Sequence, residues 1–206
     1  VRAINDVMID DTRGNIWLAA ADGSEHRPLL SGKSSYSSPR WSPDGERLAY
    51  ITEAGGEPQL FVRWMETGET ALVTNLVESP SAIAWSPDGE HIAFTMRVPA
   101  EKPSLAEPPK KPEGAEWAPE ARIIDSVVYR FDGRGYIDPG FDHVFVVPAD
   151  GGSARQLTTG DYDHSGPLAW TPDGERIVFS ANRSEDWQYE RTERDLYAVA
   201  VESGEL

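Results

Sequence analysis

Short apolar runs punctuated by Pro-Asp-Gly set the rhythm of the chain. Leu48-Ala49-Tyr50, Ile92-Ala93-Phe94 and Ile177-Val178-Phe179 are apolar on successive positions, as a strand buried on both faces requires. Each run closes a decamer that begins with tryptophan: Trp41-Ser42-Pro43-Asp44-Gly45-Glu46-Arg47, Trp85-Ser86-Pro87-Asp88-Gly89-Glu90-His91 and Trp170-Thr171-Pro172-Asp173-Gly174-Glu175-Arg176 lead into the three runs. Each decamer reads as a hairpin. Proline presets φ at the turn, aspartate caps its own backbone, and glycine accepts positive φ. The three tryptophans are expected at equivalent places in first strands, and Leu48, Tyr50, Ile92, Phe94, Ile177 and Phe179 at blade-facing positions.

A second element follows each decamer: an apolar strand, a glycine turn and another strand. The copies are Leu60-Phe61-Val62 before Gly68, Val144-Phe145-Val146-Val147 before Gly151, and Leu196-Tyr197-Ala198-Val199 before Gly204. A fourth, Ile16-Trp17-Leu18-Ala19 before Gly23, has no decamer ahead of it, and Asp6-Val7-Met8-Ile9 reads as its second strand. The unit is four antiparallel strands in roughly 40–45 residues, the size of a propeller blade. Gly45 to Gly89 is 44 residues; Gly45 to Gly68 is 23 but Gly89 to Gly151 is 62, so an excess of 39 lies between the Phe94 and Val144 strands. The predicted fold is an all-β propeller, partial in this chain at about three and a half blades. Residues 1–33 form a partial blade, 34–77 a full one, 78–160 one with an insertion at 97–142, and 161–206 another partial one. Both ends read as interrupted blades of a larger ring. Exposed blade faces then imply a homo-oligomer.

Composition narrows the function. The formal charge of −16 repels phosphate backbones and anionic lipid, so neither nucleic acid nor membrane is an expected partner. Cysteine is absent, which removes disulfide and thiolate chemistry. Four histidines show no metal-ligand spacing. Gly32-Lys33-Ser34 lacks the glycine a phosphate loop needs at position 27, and Asp161-x-Asp163-x-Ser165-Gly166 has Pro172 where a calcium loop needs glutamate. Asn182-Arg183-Ser184 is a glycosylation sequon without a secretory context. No Gly-x-Ser-x-Gly elbow occurs. No cofactor, metal or catalytic residue is expected in this chain.

The insertion is where the pattern breaks. Six of the 16 prolines fall between Arg97 and Pro119, which predicts an extended excursion, neither helix nor inner strand. The chain returns through Ile123 to Tyr136, an extra hairpin with a charged tip. It is either rim decoration or a contact element. Strand direction alternates within a blade, so the Pro-Asp-Gly turns and the turns at Gly23, Gly68, Gly151 and Gly204 share one face. The opposite face collects Ser31 to Ser38, the insertion, Gly160 to Gly166 and Asn182 to Arg194. That places Tyr36, Arg130, Asp132, Arg134, Tyr136, Tyr162, Asp163, His164, Arg183 and Trp187 on one side as candidate binding residues. Arg130 and Arg134 suit a carboxylate, of a substrate or across an interface, because guanidinium pairs bidentately; pairing inside the insertion is the alternative.

The Trp-Ser-Pro-Asp-Gly hairpins resemble the repeats of TolB-like proteins and of prolyl oligopeptidase-type serine peptidases. Arg97-Val98-Pro99, Pro108-Pro109-Lys110-Lys111-Pro112-Glu113-Gly114, Tyr129-Arg130-Phe131-Asp132-Gly133-Arg134-Gly135-Tyr136, Gly160-Asp161-Tyr162-Asp163 and Ser180-Ala181-Asn182-Arg183-Ser184 resemble the acylaminoacyl-peptidase branch. The resemblance implies a non-catalytic N-terminal propeller that gates or orients peptide substrate for a C-terminal α/β-hydrolase domain of the same gene product, whose triad lies outside this chain. The alternative is a TolB-like propeller that binds proteins and has no hydrolase partner. The peptidase reading places the protein in the cytoplasm, the TolB-like reading in the periplasm.

Overall fold

One hydroxyl closes each decamer hairpin. The Ser42 hydroxyl accepts the Arg47 N–H at 2.9 Å and donates to Asp44 Oδ1 at 2.5 Å, while Asp44 Oδ1 also accepts the Glu46 N–H at 3.0 Å. Ser86 with Asp88, and Thr171 with Asp173, repeat the arrangement. Gly45, Gly89 and Gly174 follow in the left-handed region, at φ of 75°, 73° and 74°. The hydroxyl bond, then the backbone N–H, holds the carboxyls of Asp44, Asp88 and Asp173 below their usual range.

The computed structural model describes residues 1–206 other than 9, 55, 103–105, 107–108, 119–120 and 133–134. Among the described residues there is no helix. The first sheet holds β1 (Arg2–Asp6), β2 (Asp11–Ala19) and β3 (His26–Leu30); the second holds β4 (Tyr36–Trp41), β5 (Arg47–Ala54), β6 (Glu57–Trp64) and β7 (Thr70–Leu72). In the third, β8 (Pro80–Trp85) and β9 (His91–Pro99) precede a two-stranded ribbon, β10 (Arg130–Phe131) and β11 (Gly135–Tyr136), and the sheet is completed by β12 (Gly140–Pro148) and β13 (Arg155–Gln156). The fourth holds β14 (His164–Trp170), β15 (Arg176–Ala181) and β16 (Asp195–Ala200). Neighbouring strands are antiparallel throughout. This is the expected partial propeller, with its sheets side by side in chain order.

The second strands are buried on both faces, and alternate residues serve different cores. Leu48 and Tyr50 face the first sheet with Ile16, whereas Ala49 and Ile51 join Ile92 and Phe94 in the core between the second and third sheets. Ala93 turns the other way, toward Ile177 and Phe179. All six predicted blade-facing residues are buried. Trp41, Trp85 and Trp170 each end a first strand and pair with Leu48, Ile92 and Ile177. The ring N–H stitches sheets together: Trp85 Nε1 donates to Arg40 O at 3.0 Å and Trp170 Nε1 to Ala84 O at 3.1 Å. Arg47 adds a second stitch, lying 4.9 Å from the Trp85 ring centroid and donating to Gly89 O at 2.7 Å. Trp41, at the same repeat position, is 47% exposed, and its ring nitrogen has no acceptor among the described residues.

Two sequence expectations need correction. The strand of the first sheet is Arg2–Asp6, and Val7 and Met8 lie in the turn after it; Ile9 falls outside the described residues. Asp6 ends the strand because its carboxylate accepts the Met8 N–H at 3.0 Å while pairing with Arg13 at 2.7 Å. The insertion is also shorter than 97–142. Arg97, Val98 and Pro99 continue the inner strand β9 and pair with Asp142, Phe141 and Gly140, so the excursion runs from 100 to 139. Proline content masked this. Gly140, at φ 137°, lets the strands close, because a Cβ there would collide with Val98 O.

The turns of the second, third and fourth sheets meet in pairs. Glu46 O, Glu90 O and Glu175 O accept the N–H groups of Met65, Ala149 and Val201, which ties each Pro-Asp-Gly turn to the turn between third and fourth strands. The stitch gives a first test. Trp85→Phe removes one hydrogen bond between sheets and is expected to lower urea-unfolding stability by about 1 kcal/mol. Trp41→Phe is expected to change it far less, and equal losses for the two variants would refute the stitch.

Candidate functional site

The site grows from a repeat position. In β6 the buried Gln59 accepts the Thr74 hydroxyl at 3.0 Å and the Leu76 N–H at 2.8 Å through Oε1. Pairing of Tyr50 with Phe61 and of Phe94 with Phe145 makes His143 of β12 its counterpart, and His143 Nδ1 meets Thr158 Oγ1 at 3.3 Å. Histidine, bulkier than glutamine, also reaches the next sheet. Its ring centroid lies 5.0 Å from that of His164, the first residue of β14.

His164 is 0% exposed and committed at both nitrogens. Nδ1 lies 3.1 Å from Asp142 O and Nε2 3.3 Å from Arg183 Nη1. A guanidinium only donates, so Nε2 accepts and the proton sits on Nδ1. Burial, then the neighbouring His164, pushes His143 down to about 4. Burial also pushes His164 down, with the Arg183 charge adding to it against the Asp142 carbonyl bond. Arg97 braces the neck of the insertion, 3.8 Å from both Asp142 Oδ1 and Asp163 Oδ1 and donating to Asp138 O at 2.8 Å. Asp163 Oδ1 accepts the Asp142 N–H at 2.9 Å. Arg183 lies 5.1 Å from the Tyr162 ring centroid and 5.5 Å from that of Tyr197. The sequon asparagine is a loop staple: Asn182 Oδ1 accepts from the Ser184 hydroxyl at 2.7 Å and Nδ2 donates to Glu190 O at 2.7 Å.

A second cluster surrounds the ribbon. Arg130 pairs across it with Tyr136, whose ring also carries Arg122 at 4.5 Å. Val127 N–H donates to Gln188 Oε1 at 2.9 Å, and Trp187 packs edge-on against Phe141 at 5.9 Å. The 182–191 segment thus touches both clusters.

The candidate residues fall accordingly. Asp163, His164 and Arg183 meet at the seam between third and fourth sheets; Arg130, Asp132 and Tyr136 are exposed on the ribbon; Trp187 lies between the two groups. Arg134 lies outside the described residues. Tyr36 is separate, packed on Tyr50 at 6.0 Å. His164 is fully buried and meets Arg183 through Nε2. Sequence reasoning missed Arg97, Phe141, His143, Gln188 and Arg191. Aligning Gln59 with His143 through the repeat would have found His143; the others carry no local signal. Asp88, Glu90 and His91 bring ligand atoms within 4.8 Å of one another. They form an exposed turn in which Asp88 Oδ1 already accepts two hydrogen bonds, an arrangement the other decamers share without the histidine. The seam and the ribbon each bring guanidiniums onto aromatic rings, and both His164 nitrogens are engaged.

Residues 6–102 match the TolB beta propeller domain, and residues 125–206 the dipeptidyl peptidase IV N-terminal region. The uncharacterized peptidase YuxL of Bacillus subtilis is 32% identical over 85% of this chain, which spans 26% of that relative. The chain is a TolB-like β-propeller similar to the N-terminal propeller regions of these peptidases. This propeller kinship extends to the Tol-Pal system protein TolB of Pseudomonas aeruginosa, 35% identical over 32% of this chain and 16% of that one. In fold, Pyrococcus horikoshii acylaminoacyl peptidase superposes with a TM-score of 0.66 at 17% identity, covering 95% of this chain and 28% of that one. The chain therefore spans about a quarter of the length of its peptidase relatives.

The buried histidine pair predicts an acid-sensitive propeller. Both rings are neutral when folded, because burial pushes their pKa below the ordinary histidine value of about 6.5. The unfolded chain therefore takes up more protons, and stability is full above the unfolded pKa and lost as pH falls through the folded pKa of about 4 for His143. Thermal melting is expected to drop through that window. His143→Gln, which installs the side chain found at position 59, should retain the Thr158 bond and flatten the drop; an unchanged pH profile in that variant would refute the account.

Proposed function

We propose that this chain is the non-catalytic propeller portion of an acylaminoacyl-peptidase-like serine peptidase, and that its insertion-bearing face meets a C-terminal α/β-hydrolase domain and orients peptide substrate toward it. The observation that carries this reading is the convergence of loops distant in sequence. The insertion neck, the Asp161–His164 turn and the 182–191 segment are joined by Arg97 to Asp142 and Asp163, by Phe141 to Trp187, and by Val127 to Gln188. The opposite face carries short turns that repeat from blade to blade, which suits structure more than recognition. Kinship with peptidase propellers supports the assignment of the missing chemistry to another domain.

A second reading, a TolB-like propeller that docks other proteins, is favoured by the TolB relative over a third of the chain. The full-length gene separates the two, since a Gly-x-Ser-x-Gly elbow some 200–400 residues downstream belongs only to the peptidase. We also propose self-association of this chain, because Ile4 and Leu196 stand exposed on the two outer sheets and Val7 and Met8 in the turn after β1. Light scattering is expected to show an oligomer, and a monodisperse monomer would refute it. In the full-length enzyme, Arg130→Ala and Arg134→Ala are each expected to cut peptide kcat/KM by about tenfold with the fold intact. Unchanged kcat and KM in both would remove the insertion from the mechanism.

A further inference from the structure

The cleft beside the ribbon has a chemistry that narrows the ligand. It encloses about 490 Å³ and is lined by Val127, Val128, Tyr129, Arg130, Asp132 and Arg191. Its walls are tied from both sides. Val127 N–H donates to Gln188 Oε1 at 2.9 Å, Tyr129 O accepts the Ile137 N–H at 2.9 Å, and Asn182 Nδ2 holds Glu190 O at 2.7 Å, one residue before Arg191.

The two guanidiniums rest on rings. Arg130 lies 5.8 Å from the Tyr136 centroid and Arg191 5.9 Å from the Phe131 centroid. Among the described residues neither has a carboxylate oxygen within 4.0 Å, whereas Arg97 and Arg122 nearby are paired with Asp142, Asp163 and Asp138. The chain has 35 acidic residues against 19 basic ones, so a cation has many potential partners. Two arginines that share a cleft and pair with no Asp or Glu among the described residues are therefore available to an outside anion. Asp132 contributes one negative charge to the lining, and the two arginines outweigh it. Aromatic support holds each planar head while leaving its N–H donors at the edge.

We propose that this cleft binds a peptide carboxylate, with Arg130 and Arg191 as its cationic pair and Val127 and Tyr129 as the apolar wall for the neighbouring side chain. This rests on reading the chain as the substrate-handling part of a peptidase. A terminal carboxylate and an acidic side chain share the chemistry, and the probes distinguish them. Arg191 acts beside Arg130 although 61 residues separate them in sequence. Both arginines are exposed, so the site selects by short-range pairing; the protein's net charge of −16 works against long-range attraction of an anion.

The test uses the full-length gene product, pretreated with a fluorophosphonate to block any serine hydrolysis, and fluorescence anisotropy of three N-labelled peptides. These are Ala-Ala-Phe with a free carboxyl terminus, the same peptide amidated, and amidated Ala-Asp-Phe. The free carboxylate or the aspartyl peptide is expected to bind about tenfold more tightly than the neutral amide, and whichever of them does so identifies the source. Arg130→Gln and Arg191→Gln should each bring that preference close to parity and leave binding of the amide unchanged. Arg27→Gln, on β3 of the first sheet, should leave all three unchanged. Equal binding of the three peptides by the wild-type protein, no binding at all, or a carboxylate preference untouched by both cleft variants would overturn the proposal. Hydrolysis of the same peptides by untreated protein reports on the peptidase reading separately, because its loss leaves the anisotropy comparison intact.

Discussion

Register is the constraint on which the rest of the structure depends, and a serine or threonine hydroxyl at the first turn position sets it. By holding both the turn aspartate and the backbone five residues on, that hydroxyl fixes where the second strand begins. The second strand is buried on both faces and serves two cores, one with its even positions and one with its odd. A slip of one residue would exchange Leu48 and Tyr50 for Ala49 and Ile51 and misfill both cores together. Correct register also brings the Trp85 and Trp170 rings to the carbonyl that precedes the tryptophan of the previous sheet. Local turn chemistry thereby becomes long-range order.

The fold was legible because each of its determinants is local and repeated. Three decamers announce the hairpins, and the apolar triplets that follow announce doubly buried strands. Legibility failed where a local cue and a tertiary one disagreed. Pro99 argued against strand, yet Gly140 opposite it permits the approach that extends β9. Asp6 looked like the start of a strand, and its carboxylate instead caps the turn that ends one.

The candidate face was legible in outline only. Alternation of strand direction sorted its loops, and the resemblance singled out the Tyr129–Tyr136 hairpin. The pairings within the face were invisible, because Arg97 with Asp163 and Arg183 with His164 are set by how adjacent sheets pack. His143 is the instructive case: as one of four histidines it looked unremarkable, but the repeat makes it the counterpart of a buried glutamine. Substituting imidazole there retains a link to threonine and adds a titrating group at the seam between two sheets.

The neck at Gly140 separates what is fixed from what is free. A side chain there would collide with Val98 O, and Arg97 clasps both strands beside it, so the point of exit from the sheet is held to a narrow geometry. Beyond the neck, each doubling of loop length costs only about 0.6 kcal/mol in closure entropy. The excursion is in this sense a cartridge: its contents can be lengthened, shortened or replaced over evolutionary time while the socket that receives it stays the same.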